Sequence, residues 1–212
     1  MDKPNFLFMI ADDHRFSALS GLGKEAVQTP TFDQLMNDGT TFTHAHIMGS
    51  TSGAVCMPSR AMLMTGCNVF RTPDPLPEDL PLLPELLWRN GYTTFATGKW
   101  HNRPETFARC FSTGGKVFFG GMFDDQYTCT VHDFDPTHAY DEQSVEVVDA
   151  FSTTLFADAM IDFLSQRSAD DEQPFFAYVA FTSPHNPRPT PDPYASMYNP
   201  DASELPHNSL HQ

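Results

Sequence analysis

A chain of 212 residues that is 40% hydrophobic and carries 19 phenylalanines has the material for one sizeable core and does not read as a disordered tail. Its formal net charge of −15 excludes partners that need an exposed basic surface, nucleic acid and anionic membranes among them. No apolar run reaches the length of a membrane span, and Cys56, Cys67, Cys110 and Cys129 show neither CxxC spacing nor the density of a disulfide scaffold.

Residues 5–11, NFLFMIA, form a continuous apolar run that stops at Asp12, the pattern of a strand buried on both faces. The run is too short for a signal peptide and leads straight into acidic residues. TPTFDQLMNDG (29–39) predicts a short helix with Thr29 as cap, Pro30 at its first position and Gly39 as stop. TTFTHAHI (40–47) alternates as a strand does and delivers the chain to AVCMPSRAMLMTG (54–66). There the residues after Pro58 are good helix formers, and Gly66 ends them. LPLLPELLWRNGYTTFATGKWH (80–101) predicts a helix, a stop at Gly91, a strand over 92–97 and a loop. Residues 102–140, rich in Gly, Phe and Asp, read as an insertion over the site. STTLFADAMIDFLSQRS (152–168) has helical apolar spacing, PFFAYVAFTSPH (174–185) predicts another buried strand, and 187–212 is a proline-rich loop with no further strand. Strands alternating with helices imply an α/β fold built on a doubly wound, mostly parallel sheet. Ligands of such sheets sit at the carboxyl ends of the strands, where Asp12-Asp13, Lys99-x-His101 and His185 all fall.

These positions carry recognisable chemistry. Cys56 stands at a helix N-terminus, among free N–H groups and at the positive end of the dipole. Arg60, four residues on, can share its face, so the pair suits a sulfate or phosphate oxyanion. The plainer alternative is a small buried cysteine and a solvated arginine. Asp12 and Asp13 are adjacent carboxylates that a hard cation such as Ca²⁺ or Mg²⁺ would relieve; otherwise one caps a turn and the other is solvated. Both can reach one ion only if the strand ends there, because strict alternation aims them apart. Lys99 could neutralise an oxyanion and His101 could move a proton, unless the two simply form an exposed basic loop. His185 lies between Pro184 and Pro187 in a stiff loop that suits a general acid, although a turn histidine is more often structural.

Taken together, Cys-x-Pro-Ser-Arg with AMLMTG, the Asp pair after the first strand, GKWH and SPHNP resemble the type I, formylglycine-dependent sulfatases of the alkaline phosphatase superfamily. The resemblance covers residue 5 to about residue 198 and makes 1–212 the N-terminal part of a sulfatase catalytic domain. It implies that a maturation enzyme converts Cys56 to formylglycine, whose hydrated aldehyde is the nucleophile. It also implies Ca²⁺, or Mg²⁺ in its place, held by Asp12, Asp13 and the residue made from Cys56. Arg60 would hold the hydrate and its sulfate adduct, and Lys99 would bind the sulfate. His101 would act as base when sulfate is expelled, and His185 would assist the leaving alcohol. The implied substrate is a sulfated sugar or an aryl sulfate. Phosphonate monoester or phosphodiester hydrolysis is the second enzymatic reading, and an inactive truncated fragment the third. The family's further metal ligands and second lysine have no counterpart in this chain, and Cys67 stands where an arginine is common. Family analogy implies a periplasmic or secreted protein, to which this N-terminus lends no support; cytoplasmic is the alternative, and the compartment stays open.

Overall fold

The computed structural model describes residues 3–50, 55–168, 171–199 and 201. Six strands are found among them: β1 (Phe6–Ile10), β2 (Thr93–Lys99), β3 (Thr113–Phe118), β4 (Thr128–His132), β5 (Val145–Asp149) and β6 (Phe175–Ala180). They form one sheet in the order β1-β6-β2-β3-β4-β5. Its first four members are parallel neighbours, and β4 and β5 are added antiparallel at the far edge. The helices are α1 (Pro30–Asp38), α2 (Cys56–Thr65), α3 (Leu83–Arg89), α4 (Pro104–Cys110) and α5 (Ser152–Ser165).

Alternation along β6 divides the core in two. Phe176, Tyr178 and Ala180 pack with Ala61 and Met64 of α2 and with Phe107 and Cys110 of α4. Ala177 and Val179 point the other way, onto Phe156, Met160 and Phe163, which recur at helical spacing on α5. Helices therefore cover both faces, and the sheet is doubly wound and mostly parallel, as expected. Among the described residues no helix is long and apolar enough to cross a membrane.

Three local expectations are corrected. The apolar run 5–11 forms β1, but among the described residues β1 pairs with β6 alone, and Phe6, Leu7 and Met9 are 41%, 45% and 53% exposed. An uninterrupted apolar run says that a strand is coverable; it does not say how many neighbours cover it. Residues 40–47 contain no strand. Residues 102–140 are part of the sheet, since they supply α4, β3 and β4 and bury Phe107, Phe111, Val117 and Val131 completely. Glycine obscured this segment, and glycine is also what lets it pack. A Cβ at Gly114 would stand 2.6 Å from the Ala96 carbonyl oxygen. In β2, Gly98 has φ +83°, and a Cβ there would come within 2.1 Å of the Ala180 carbonyl oxygen.

The contacts divide the chain into Met1–Asp13 with His46–Arg188, which holds the sheet, and His14–Ala45 with Pro189–Gln212. The smaller unit is organised around α1. Asp33 accepts from Ser20 Oγ and from the Gly21 amide, both at 2.7 Å; Thr29 stands at the N-cap position before Pro30, as expected, but its side chain makes no capping hydrogen bond. In the proline-rich tail Tyr194–Ser196 form a 3-10 turn, with no strand among its described residues; position 200 and residues 202–212 lie outside them.

Candidate active site

Because β1, β6 and β2 are parallel neighbours, the segments leaving their carboxyl ends emerge side by side. β1 runs into Asp12 and Asp13, β2 ends on Lys99, and β6 runs into Thr182, Ser183 and His185. The Asp12 amide donates to the Ser183 carbonyl at 3.1 Å, which joins the first and third of these segments directly. α2 begins at Cys56 and adds Arg60 one turn later; Gly66, at φ +67°, closes it.

The two aspartates part company here. β1 has ended, and Asp13 sits in the left-handed region at φ +59°, so the chain turns between them. Asp12 is 5% exposed and faces a pair of cations: Lys99 Nζ at 2.5 Å from Oδ2 and Arg60 Nη2 at 3.5 Å from Oδ1. The Asp13 side chain is half-exposed, with Oδ2 3.4 Å from His185 Nε2.

Arg60 is not solvated surface. It is 3% exposed, and Nη1 donates to the Lys99 carbonyl and to the Tyr178 hydroxyl, each at 2.7 Å. The Tyr178 hydroxyl in turn donates to the same carbonyl at 3.1 Å. The second guanidinium nitrogen, Nη2, is buried and makes no hydrogen bond, only the long ion pair with Asp12. Lys99 is fully buried, and Nζ also donates to the Gly121 carbonyl. An ammonium has three protons, so one remains for an anionic ligand.

Burial pushes the Cys56 thiol above its ordinary range, and the nearby Lys99 and Arg60 charges do not overcome it. A protonated thiol is a poor nucleophile. Burial, with help from Lys99 and Arg60, pushes His101 down to about 4, so its imidazole is neutral at pH 7. Its backbone is left-handed at φ +62°, its Nδ1 is buried without a hydrogen bond, and its ring lies against Gly121. His185 donates from Nδ1 to the Asn186 carbonyl at 2.8 Å.

Asp12, Cys56 and His185 each offer a ligand atom within 4.8 Å of the other two. That grouping differs from the implied set of Asp12, Asp13 and Cys56, with Asp13 reached through His185. Sequence inspection missed Tyr178, hidden in an apolar strand, and the Gly121 carbonyl, signalled only by the Gly120-Gly121 pair. It also missed a buried cluster behind the His185 loop. There Gln126 Oε1 accepts from Ser152 Oγ at 2.5 Å and from Thr182 Oγ1 at 2.8 Å, while the Thr182 carbonyl accepts from the His185 amide at 3.0 Å.

Fold and site together define an α/β protein with a doubly wound, mostly parallel sheet and oxyanion-compatible cations at the carboxyl edge of that sheet. Comparison with known proteins narrows this. The Sulfatase family model matches residues 4–210, and the chain belongs to that family. An N-acetylglucosamine-6-O-sulfatase of Bacteroides thetaiotaomicron is 29% identical over 190 residues, covering 86% of this chain and 31% of the relative. A solved structure from Bacteroides fragilis shares the fold, with a TM-score of 0.79 at 24% identity, over 94% of this chain and 48% of that one. A second solved structure, in complex with its substrate D-glucosamine-2-N,6-O-disulfate, has a TM-score of 0.66 at 27% identity, over 86% of this chain and 35% of the other. The chain spans 31% to 42% of the length of the first curated relatives it matches.

Proposed function

We propose that this chain carries the catalytic edge of a sulfuric ester hydrolase whose substrate is a sulfated sugar or an aryl sulfate. The observation that carries the reading is the convergence of Cys56, Arg60 and Lys99 on Asp12 at the end of three parallel strands, within a chain that belongs to the sulfatase family. Relatives named for sulfated amino sugars support the substrate class.

Each side chain has a task its surroundings suit. Lys99, anchored by Asp12 and Gly121, offers its remaining proton to a sulfate oxygen. Arg60 Nη2 faces the same charge from the helix side. Because His101 is neutral at pH 7, it can accept a proton. His185, in the stiff loop after β6, can return one to the leaving alcohol oxygen. Tyr178 and Gln126 position Arg60 and the His185 loop. Formylglycine made from Cys56 would supply the nucleophilic oxygen, which a protonated thiol does not. Asp12 and Asp13 present the oxygen donors that Ca²⁺ prefers, and the ion would neutralise charge on the transferring group. The cysteine sulfur does not suit that ion, so conversion of Cys56 and calcium binding belong together. The maturation enzyme is the partner this requires.

The test uses the complete protein produced with a formylglycine-generating enzyme, assayed on p-nitrophenyl sulfate and on a glucosamine 6-sulfate. Sulfate release should fall by about a thousandfold or more in Cys56→Ala. Undiminished release would remove Cys56 as the nucleophile. A kcat/KM that favours the matched phosphonate ester would replace the sulfatase reading with the phosphonate one.

A further inference from the structure

We propose that, while Cys56 keeps its thiol, Asp12, Cys56 and His185 form a site for a divalent metal of the zinc class. Conversion of Cys56, which rests on the reading above, then exchanges that preference for a hard cation.

One ligand atom from each residue lies within 4.8 Å of the other two. A tetrahedral ion with bonds of about 2.0–2.3 Å holds its ligands about 3.5 Å apart, so closing the site needs a contraction of roughly 1 Å. One sulfur, one imidazole nitrogen and one carboxylate oxygen match the N/S/O donors of zinc, with a fourth position open. They do not match calcium, which takes six to eight oxygens.

The surroundings orient all three groups. A carbonyl can only accept, so the 2.8 Å contact with Asn186 makes Nδ1 of His185 the protonated nitrogen and leaves the Nε2 lone pair for a metal. The Asp12 amide is tied to Ser183 and the His185 amide to Thr182, so both ligands are fixed through the loop after β6. Lys99 on Asp12 Oδ2 is the outer contact that a monodentate carboxylate ligand commonly keeps. Binding sends the thiol proton to solvent. The site then holds three negative groups, Asp12, Asp13 and Cys56, against the two positive groups Lys99 and Arg60, which leaves a net attraction for a dication. The three ligands come from separate elements, 44 and 129 positions apart (56 − 12 and 185 − 56), a spacing no sequence motif for zinc describes.

The test is a Co²⁺ titration of the reduced, metal-free 212-residue chain produced without the maturation enzyme, with Cys56 shown by peptide mass to be unmodified. We expect one equivalent bound, with a thiolate-to-cobalt charge-transfer band and displacement by Zn²⁺. Cys56→Ser should abolish the band, His185→Ala should weaken binding at least tenfold, and Cys67→Ser should leave both unchanged. Near-ultraviolet circular dichroism checks that each variant is folded. No charge-transfer band, a band that persists in Cys56→Ser, or equal affinity in His185→Ala would overturn the site. Failure of the sulfatase reading would instead show as missing turnover in the converted complete protein, with the cobalt titration unchanged.

Discussion

Two three-membered charge clusters of opposite balance, one carboxylate between two cations and one cation between two carboxylates, sit at different depths of the same sheet. Asp12, Lys99 and Arg60 meet at the carboxyl edge with side chains 6%, 0% and 3% exposed. Lys116 meets Asp133 and Glu146 on β3 and the β4–β5 hairpin, and there the carboxylates are 64% and 48% exposed. Water screens the second cluster and lets its members part at little cost. In the first, no member can lose its partner without leaving a charge in the interior. A fold keeps such a cluster despite its desolvation cost where the charges serve something else, and here they face the Cys56 end of α2.

Removing Asp12 should break this contrast most sharply. Asp12→Ala leaves Lys99 and Arg60 buried without a counter-ion and should cost about 3–5 kcal/mol in urea denaturation. A loss under 1 kcal/mol would mean that the interior is wetter than its burial shows. The second effect is one of pH. His101 has its folded value lowered to about 4 from an ordinary 6.5. Above pH 6.5 it is neutral in both states. Between 6.5 and about 4 only the unfolded chain takes the proton, so His101 makes stability fall as pH falls through that window. His101→Gln should flatten this part of the stability curve, and an unchanged slope would assign it to other groups. The smallest effect belongs to the exposed cluster. Lys116→Ala should cost less than about 1 kcal/mol, and most of that loss should disappear in molar salt.

How much could be read in advance differs from residue to residue. Cys56 at a helix start, Lys99 near a strand's carboxyl end and His185 in a proline-framed loop were legible from spacing and turn chemistry within a few residues, although the strand runs on to Lys99 itself and not only to residue 97. The unequal fates of Asp12 and Asp13 were not, since they follow from one left-handed turn and from partners as far away as Lys99, 87 positions along the chain. Tyr178 gave no signal at all, because its hydroxyl is one polar atom in an otherwise apolar strand.

The doubly wound class, the helix that presents Cys56 and Arg60, and the family to which the chain belongs all follow from the order of residues alone. All of these are written in short-range patterns of hydrophobicity, proline, glycine and charge. Three-dimensional packing was needed to show that β1 has one partner strand among the described residues, that residues 102–140 build the sheet, and that Asp12, Cys56 and His185 lie within ligand distance of one another. Those facts are set by which strands become neighbours. Neighbour choice is made by packing across the whole core, where periodicity along the chain carries no information.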